Sequence, residues 1–238
     1  MISIIIPTYF EEKYIESCLK SIIKNSPKNI EIIVVDSNSS DKTREIAGKY
    51  ADKVINIKNR GVGKARNIGA EVAKGEILLF VDADTILSKT FIREFEKTFH
   101  DSKVVCSAGF VFGDNKNLGI FLNIYKYLWF CVNNLIALIS SIFGFPLFPT
   151  VCCGCRRWAF DAIGGFNEEL AVGEDIDFSM RMGKLGKCRL SRKAVAFTST
   201  RRIEKYGASK NLWLFFGNYL KIYLFNKRPW VNRFPHVD

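Results

Sequence analysis

GEILLFVDAD, residues 75–84, is an apolar run that leads directly into two aspartates. Ile77 to Val81 carry no charge, which predicts a strand buried on both faces, as in a parallel sheet covered by helices. Ligands of open α/β sheets bind beyond the carboxyl ends of the strands, so Asp82 and Asp84 mark the expected site. Two carboxylates one residue apart suit a hard divalent cation that shares oxygen ligands with a phosphate. A solvated Asp-x-Asp turn is the alternative that this short pattern leaves open.

Strands alternate with helices on both sides of this run. Apolar segments predict strands at residues 2–6, 30–35 and 53–57, and a patterned or capped helical segment follows each of them. With the run at 77–81, four strands alternate with helices, which predicts an α/β fold with a doubly wound, mainly parallel sheet flanked by helices. Further strands are predicted at 103–112 and 194–198, and a short helix with a glycine C-cap at 160–166.

The glycine-containing segment at residues 61–66 matches neither common phosphate-binding loop. Arg66 occupies the position of the third glycine in the dinucleotide fingerprint, and the segment does not follow the first strand. A Walker-type loop requires glycine where Lys58 stands. A nucleotide would therefore be held by carboxylates at strand ends together with a metal ion.

The composition favours an anionic partner. The 238-residue chain has 35 Lys and Arg against 24 Asp and Glu, a net charge of +11. This excess suits phosphate-bearing ligands, nucleic acid or an anionic membrane surface. No nucleic-acid-binding module is recognisable, so we expect no nucleic-acid partner.

The seven cysteines indicate a reduced, cytoplasmic setting, because the chain opens on a strand rather than on a secretory signal. Cys152, Cys153 and Cys155 raise the alternative of a zinc site. A structural zinc site needs four ligands in paired spacings, and neither a second pair nor a nearby histidine is present. We therefore expect buried thiols at these positions.

The most apolar segment, residues 118–148, has Lys126 as its one charged residue and is long enough to cross a membrane. Its apolar residues form one broad stripe, and polar residues fall largely on the other side, which predicts an amphipathic helix at 118–143. A single crossing would separate the acidic group at 82–84 from the one at 174–177. We expect a helix that lies on a membrane surface, with burial inside the protein as the alternative.

Residues 206–238 are predicted to form a basic, aromatic C-terminal tail. Aromatic residues alternate there with lysine and arginine, for example Trp213, Lys221 and Trp230. This composition suits a membrane interface. A helix docked on the core with its cations outward is the alternative.

Several motifs in fixed order carry a resemblance to a known family. They are IIPTYFE (5–11), VVDSNSSD (34–41), ARNIG (65–69), DAD (82–84), GGF (164–166) and GEDIDFSMR (173–181). Together they resemble family-2 glycosyltransferases of the GT-A fold over about residues 1–202. The resemblance implies one GT-A domain at 1–205, with a nucleotide-sugar-binding half at 1–110 and a smaller acceptor half at 111–205.

The resemblance also implies roles for individual residues. The nucleotide-sugar-binding residues would be Pro7, Thr8, Glu11, Asp36, Arg66, Asp82, Ala83 and Asp84, with Asp82 and Asp84 as the metal ligands. Asp175 matches the general base, which takes the proton of the acceptor hydroxyl in a single in-line displacement. Further diphosphate or acceptor contacts are assigned to Glu174, Asp177, Arg201 and Arg202. Compensation of a helix dipole is the alternative for the acids at 174–177.

The implied activity is metal-dependent, inverting transfer of a hexosyl or N-acetylhexosaminyl group, with Mn²⁺ or Mg²⁺ as cofactor. A UDP-sugar donor is favoured, and a GDP-sugar is the second choice. The basic tail and the amphipathic helix suggest a lipid-linked glycan or polyprenyl phosphate as acceptor, at the cytoplasmic face of a membrane. An inactive scaffold and a nucleotidyltransferase are the alternatives.

The chain departs from part of the family at residues 199–202. Some relatives carry a downstream histidine as a further metal ligand, and some processive members carry Gln-x-x-Arg-Trp. This region reads Ser-Thr-Arg-Arg here. We therefore expect the metal to rest on aspartates and phosphates alone, without processive synthesis.

Overall fold

The structure, a computed structural model, describes residues 1–25, 29–170 and 172–213. In this part of the chain the strands are β1 (Ile2–Thr8), β2 (Ile30–Asp36), β3 (Lys53–Asn56), β4 (Ile77–Val81), β5 (Thr85–Leu87), β6 (Val104–Gly113), β7 (Cys152–Arg156) and β8 (Lys187–Thr198). The helices are α1 (Ile15–Asn25), α2 (Thr43–Ala47), α3 (Val62–Val72), α4 (Phe91–Thr98), α5 (Ile120–Ile142), α6 (Arg157–Ala162), α7 (Glu174–Gly183) and α8 (Arg201–Leu212). Most of the predicted C-terminal tail, residues 214–238, lies outside the described residues.

The strands form one sheet in the order β3-β2-β1-β4-β7-β6-β8-β5. The pairs β3–β2, β2–β1 and β1–β4 are parallel, which confirms the predicted α/β fold. Strand β7 runs antiparallel to both β4 and β6, and β5 runs antiparallel to β8. The sheet is thus parallel from β1 to β4 and mixed in the other half.

Close packing of α3 on the sheet positions one side of the site. Gly69 faces Ile5 on β1, where any Cβ would collide with the Ile5 side chain. The absence of a side chain lets the helix lie close to the strand. Arg66, almost one turn earlier, is thereby brought to the carboxyl edge of the sheet.

The predicted β8 is too short, because the strand begins at Lys187 rather than Ala194. Residues 187–193 are mostly polar, and the strand exists there because β8 pairs in parallel with β6. Helix α4 ends just before His100, and Phe91 and Phe95 are buried one turn apart on it. Helix α6 ends earlier than predicted, and Gly164 and Gly165, each with φ of 72°, form the turn that follows it.

The cysteines are free thiols, and Cys152, Cys153 and Cys155 lie buried on β7. Cys153 Sγ lies 3.6 Å from Cys106 Sγ on the neighbouring β6. Within the described residues there is no group of three or more His, Cys, Asp or Glu side chains arranged to hold a metal ion. The three cysteines contribute to the core.

Helix α5 docks on the protein through polar and small side chains. Asn134 is buried, and its amide makes two hydrogen bonds with the main chain of Val111 on β6, at 2.8 and 3.0 Å. Ser140 is buried one and a half turns later, and its hydroxyl accepts a hydrogen bond from the N–H of Leu147. The predicted amphipathic helix is therefore present, with its polar face turned towards the protein.

The opposite, apolar face of α5 is exposed. Phe121 and Ile142, near the two ends, are 85% and 72% exposed, and Leu128 and Leu135 between them are 54% exposed each. Over the described residues, α5 is the helix that has the length and hydropathy of a membrane span. Its polar contacts to the domain nevertheless extend along most of its length.

Candidate active site

A cavity of about 180 Å³ opens at the carboxyl edge of the sheet, where β1 and β4 end. It receives side chains from both strand ends and from the start of α8. Its lining residues are Pro7, Thr8, Tyr9, Glu11, Ser37, Arg60, Gly61, Val62, Asp82, Ala83, Asp84, Arg201 and Arg202. Eight of the residues singled out in the sequence therefore line one cavity, although they span almost the whole described chain.

Asp36 is placed behind the cavity wall. Its side chain is fully buried and accepts hydrogen bonds from the Thr8 hydroxyl at 2.9 Å and from the Ser39 hydroxyl at 2.6 Å. The N–H of Ser39 donates to its second oxygen at 2.8 Å. Asp36 thus fixes the ends of β1 and β2 against each other, and its direct contact with a nucleoside stays a prediction.

Two cavity residues that sequence reasoning missed form a stacked pair. The Arg60 guanidinium lies 3.8 Å from the centre of the Tyr9 ring, a cation–π contact at the mouth of the cavity. Tyr9 directly follows Thr8 at the end of β1, so its position in the sequence could have identified it as a residue of the site. Arg60 lies in a loop before α3, and its location next to Tyr9 depends on the parallel pairing of strands.

Arg66 is a buried link between the two acidic groups. Its side chain is 2% exposed, and its guanidinium lies 2.9 Å from Asp82 Oδ1 and 3.1 Å from Glu174 Oε1. It does not line the cavity but lies beneath Asp82. Arg66 therefore orients one aspartate of the DAD motif and, at the same time, the first acidic residue of α7.

Arg201 makes a similar link on the other side of the cavity. Its guanidinium donates to both carboxylate oxygens of Glu11, at 2.6 and 2.9 Å, and lies 3.2 Å from Asp84 Oδ2. Burial raises the pKa of Glu11 to about 7, against the hydrogen bonds from Arg201, and the nearby Asp84 adds to the rise. Burial likewise raises the pKa of Asp84, while Arg201 opposes it. The cavity thus concentrates carboxylates that need a compensating cation.

Asp175 lies at the first turn of α7, beside Glu174. Burial raises the pKa of Asp175 to about 7, and the charge of Glu174 adds to that rise. The N–H of Ile176 donates to Asp175 Oδ1 at 2.8 Å and holds the carboxylate in place. A carboxylate that titrates near neutral pH is suited to accept a proton in catalysis.

Asp177 is turned away from the cavity and has a structural contact. It forms an ion pair with Arg181 at 2.6 Å, one turn later on α7. Arg181 also donates to the carbonyl oxygens of Ile163 and Gly165, at 2.8 Å each. The pair ties α7 to the glycine turn after α6, which is a structural role for Arg181.

The residues of the DAD motif fit a hard divalent cation. Asp82 and Asp84 both line the cavity, and their carboxylate oxygens are the ligand type that Mg²⁺ and Mn²⁺ prefer. Two carboxylates leave several coordination positions for the oxygens of a diphosphate. The site thus fits a metal that is shared with a substrate.

The comparisons with known proteins agree with this geometry. Glycosyltransferase GlyG of Streptococcus pneumoniae serotype 4 is 31% identical over 144 residues, which cover 57% of this chain and 47% of GlyG. The chain therefore spans about half the length of that relative. The crystal structure of Staphylococcus aureus TarS 1-349 in complex with UDP-GlcNAc superposes with a TM-score of 0.67 at 29% identity, covering 84% of this chain and 58% of that TarS fragment.

A second solved structure supports the fold. The mannosyltransferase from Pyrobaculum calidifontis in complex with GDP-Man and Mn²⁺ superposes with a TM-score of 0.70 at 19% identity, over 96% of this chain and 65% of that one. The sequence profile described as glycosyl transferase family 2 matches residues 3–164. That match covers more than half of the sequence and includes the DAD motif, so the chain belongs to glycosyl transferase family 2.

Proposed function

We propose that this protein transfers a hexosyl or N-acetylhexosaminyl group from a nucleoside-diphosphate sugar to an acceptor hydroxyl, with inversion and with a divalent metal. The observation that carries the proposal is the cavity at the carboxyl edge of the sheet, where Asp82 and Asp84 lie together. Asp175 adds a carboxylate that titrates near neutral pH. Belonging to family 2 supports the same reaction class.

Four cavity residues and Asp175 have roles in this mechanism. Asp82 and Asp84 would hold Mg²⁺ or Mn²⁺, which neutralises charge on the departing diphosphate when bound. Arg201 and Arg202 line the same cavity and add positive charge where the leaving group becomes more negative. Asp175 takes the proton of the acceptor hydroxyl as that oxygen attacks the anomeric carbon and the diphosphate leaves from the opposite face.

We favour a UDP-sugar as the donor. The TarS structure that this chain resembles at 29% identity contains UDP-GlcNAc, whereas the structure with GDP-Man is only 19% identical. The Tyr9 ring at the cavity mouth offers an aromatic surface for a base, once Arg60 moves from it. A GDP-sugar is the second choice.

We place the acceptor at a membrane, on the cytoplasmic side, as a hydroxyl of a lipid-linked glycan. Polyprenyl phosphate itself, which would accept the sugar through a phosphate oxygen, is the second choice. The exposed apolar face of α5 supports the membrane location, because monomeric soluble proteins rarely expose apolar patches of that extent. Contacts of α5 to the domain extend from Lys126 to Ser140, so the helix would lie in the plane of the interface rather than cross it. The free thiols suit a reducing compartment.

The donor site is tested by thermal stabilisation of the wild type and of Asp84→Asn by UDP, GDP, CMP and TDP, each with and without Mn²⁺. A nucleotide at 100 times its Kd stabilises the fold by about 2.7 kcal/mol. We expect UDP to stabilise the wild type only with Mn²⁺, and Asp84→Asn not to respond, because one metal ligand is lost. If no nucleotide stabilises the wild type, with or without Mn²⁺, the proposal is wrong.

Membrane contact is tested by flotation of the full chain with vesicles that contain anionic phospholipid. Replacement of Leu135, Ile139 and Ile142 by serine removes apolar area from the outward face of α5, and we expect the protein to stay with the soluble fraction. Replacement of Ile23, Val72 and Ile86, exposed apolar residues on other elements, is the matched control that should still float. Equal flotation of both triple variants would contradict α5 as the contact.

A further inference from the structure

We propose that a groove beside the N-terminal half of α5 binds the isoprenoid phosphate that carries the acceptor, an inference that rests on the proposed function. The α5 groove consists of two adjoining cavities, of about 370 and 570 Å³. The two share Asn117, Asn123 and Tyr127 in their walls and are therefore neighbours. Neither belongs to the cavity that contains the DAD motif.

Polarity changes along the α5 groove. The smaller cavity is lined by charged and polar side chains of the loop after β6, among them Asp114 and Lys116, and by Lys126. The larger one is lined by apolar side chains of α5, namely Ile120, Ile124, Tyr127 and Leu128. A groove that has the Lys126 ammonium and polar groups at one end and apolar side chains at the other fits an amphiphile with an anionic head.

The polar end of the α5 groove adjoins the active site. Asp114 accepts a hydrogen bond of 2.6 Å from the hydroxyl of Thr200, the residue before Arg201. Lys116 forms an ion pair with Glu204, on the next turn of α8. The first turn of α8 therefore stands between the α5 groove and the cavity that Arg201 and Arg202 line. An acceptor head bound here would lie next to the first turn of α8.

Lys126 provides the charge for a phosphate. Its Nζ donates to the carbonyl oxygens of Asp114 and Lys116, at 3.0 and 2.7 Å. A lysine ammonium has three donors, so one is left for a ligand. Carbonyl oxygens carry no net charge, and in the described part of the chain no carboxylate pairs with this lysine. The two bonds hold the ammonium in place without neutralising it.

The apolar end opens onto the outward face of α5. Ile120, Ile124 and Leu128 are 71%, 55% and 54% exposed, and they continue the apolar face that is proposed to lie in the membrane. A lipid chain in the bilayer interface could enter the groove from the side without crossing water. This continuity with the exposed face, together with the Lys126 ammonium, favours a lipid phosphate over a second copy of the chain as the occupant.

The test uses farnesyl phosphate, a short and soluble isoprenoid phosphate, with farnesol and inorganic phosphate as separate probes. Binding to the full chain is followed by tryptophan fluorescence, since Trp129 lies on α5. We expect Lys126→Gln to weaken farnesyl phosphate binding about tenfold or more, because a charge-assisted hydrogen bond is lost. Lys187→Gln, at the far end of β8, should leave it unchanged.

The apolar end has a closely matched control. Leu128 and Leu135 lie on the same outward face and are both 54% exposed, but only Leu128 lines the α5 groove. We expect Leu128→Ser to weaken farnesyl phosphate binding several-fold and Leu135→Ser to leave it unchanged. Farnesol and inorganic phosphate should each bind far more weakly than farnesyl phosphate.

Three results would overturn the inference. They are wild-type affinity in both Lys126→Gln and Leu128→Ser, equal losses in Leu128→Ser and Leu135→Ser, and inorganic phosphate binding as tightly as farnesyl phosphate. Failure of the proposed function has a different signature. Nucleotides would then give no metal-dependent stabilisation, whereas farnesyl phosphate binding and its dependence on Lys126 would remain.

Discussion

Asp175→Asn is expected to lower the rate of sugar transfer by about 10²–10⁴-fold, the usual contribution of a general base. Asparagine keeps the size of the side chain and cannot accept the proton of the acceptor hydroxyl. The measurement is release of the nucleoside diphosphate from the nucleotide sugar that the stabilisation screen selects, with a total lipid extract as the source of acceptor. Asp175 does not line the donor cavity, so nucleotide stabilisation should persist.

The pH profile separates a base from a structural aspartate. With a pKa of about 7 for Asp175, wild-type turnover should fall as the pH drops below neutral, because the protonated carboxyl cannot take a proton. Glu174→Gln removes a neighbouring negative charge and leaves Arg66 to lower the pKa of Asp175. The fall in turnover should therefore occur at a lower pH in this variant. Turnover of Asp175→Asn at the wild-type rate would exclude the base role.

Arg66→Met is expected to lower the free energy of unfolding by about 3–5 kcal/mol, as for other broken buried ion pairs. Arg66 is 2% exposed, and its removal leaves Asp82 and Glu174 without their shared cation. Urea unfolding at neutral pH measures the loss. The loss of unfolding free energy in Arg66→Met should be smaller at lower pH, because a protonated carboxyl no longer needs a positive partner.

Two further variants define the origin of that loss. Arg93→Met removes an arginine whose side chain is 66% exposed and should change the stability by no more than about 0.5 kcal/mol. Arg66→Met combined with Glu174→Gln should recover part of the loss, since one of the two unpaired carboxylates is gone. Wild-type stability of Arg66→Met would show that the buried network does not hold the two acidic groups together.

The amino-acid sequence alone determined the fold class and most of the donor cavity. The uncharged run at residues 77–81 predicts a doubly covered strand, and a strand of that kind places the residues at its carboxyl end, Asp82 and Asp84, at the ligand edge of a parallel sheet. The ordered motifs carried the family resemblance. These features depend on short-range patterns of neighbouring residues, and the structure and the family profile confirmed both the fold and the family.

Long-range contacts decided the rest. The sequence could not show that Asp36 accepts hydrogen bonds from Thr8 and Ser39. An aspartate at a strand end has the same sequence context whether it faces a ligand or the neighbouring strand. Nor could it pair Arg66 with Glu174, 108 residues apart, or Arg201 with Glu11, 190 residues apart. Such pairs depend on which strands become neighbours in the sheet.

Helix α5 shows most clearly the difference between what the sequence predicts and what the tertiary structure decides. Its sequence predicted two faces of opposite polarity but not which one would meet the protein. Tertiary structure decided this through Val111, which lies beyond the part of β6 that pairs with β7 and whose main-chain groups take the amide of Asn134 as a partner. Buried main-chain N–H and C=O groups must be paired, so the polar face turned inward and the apolar face was left outside.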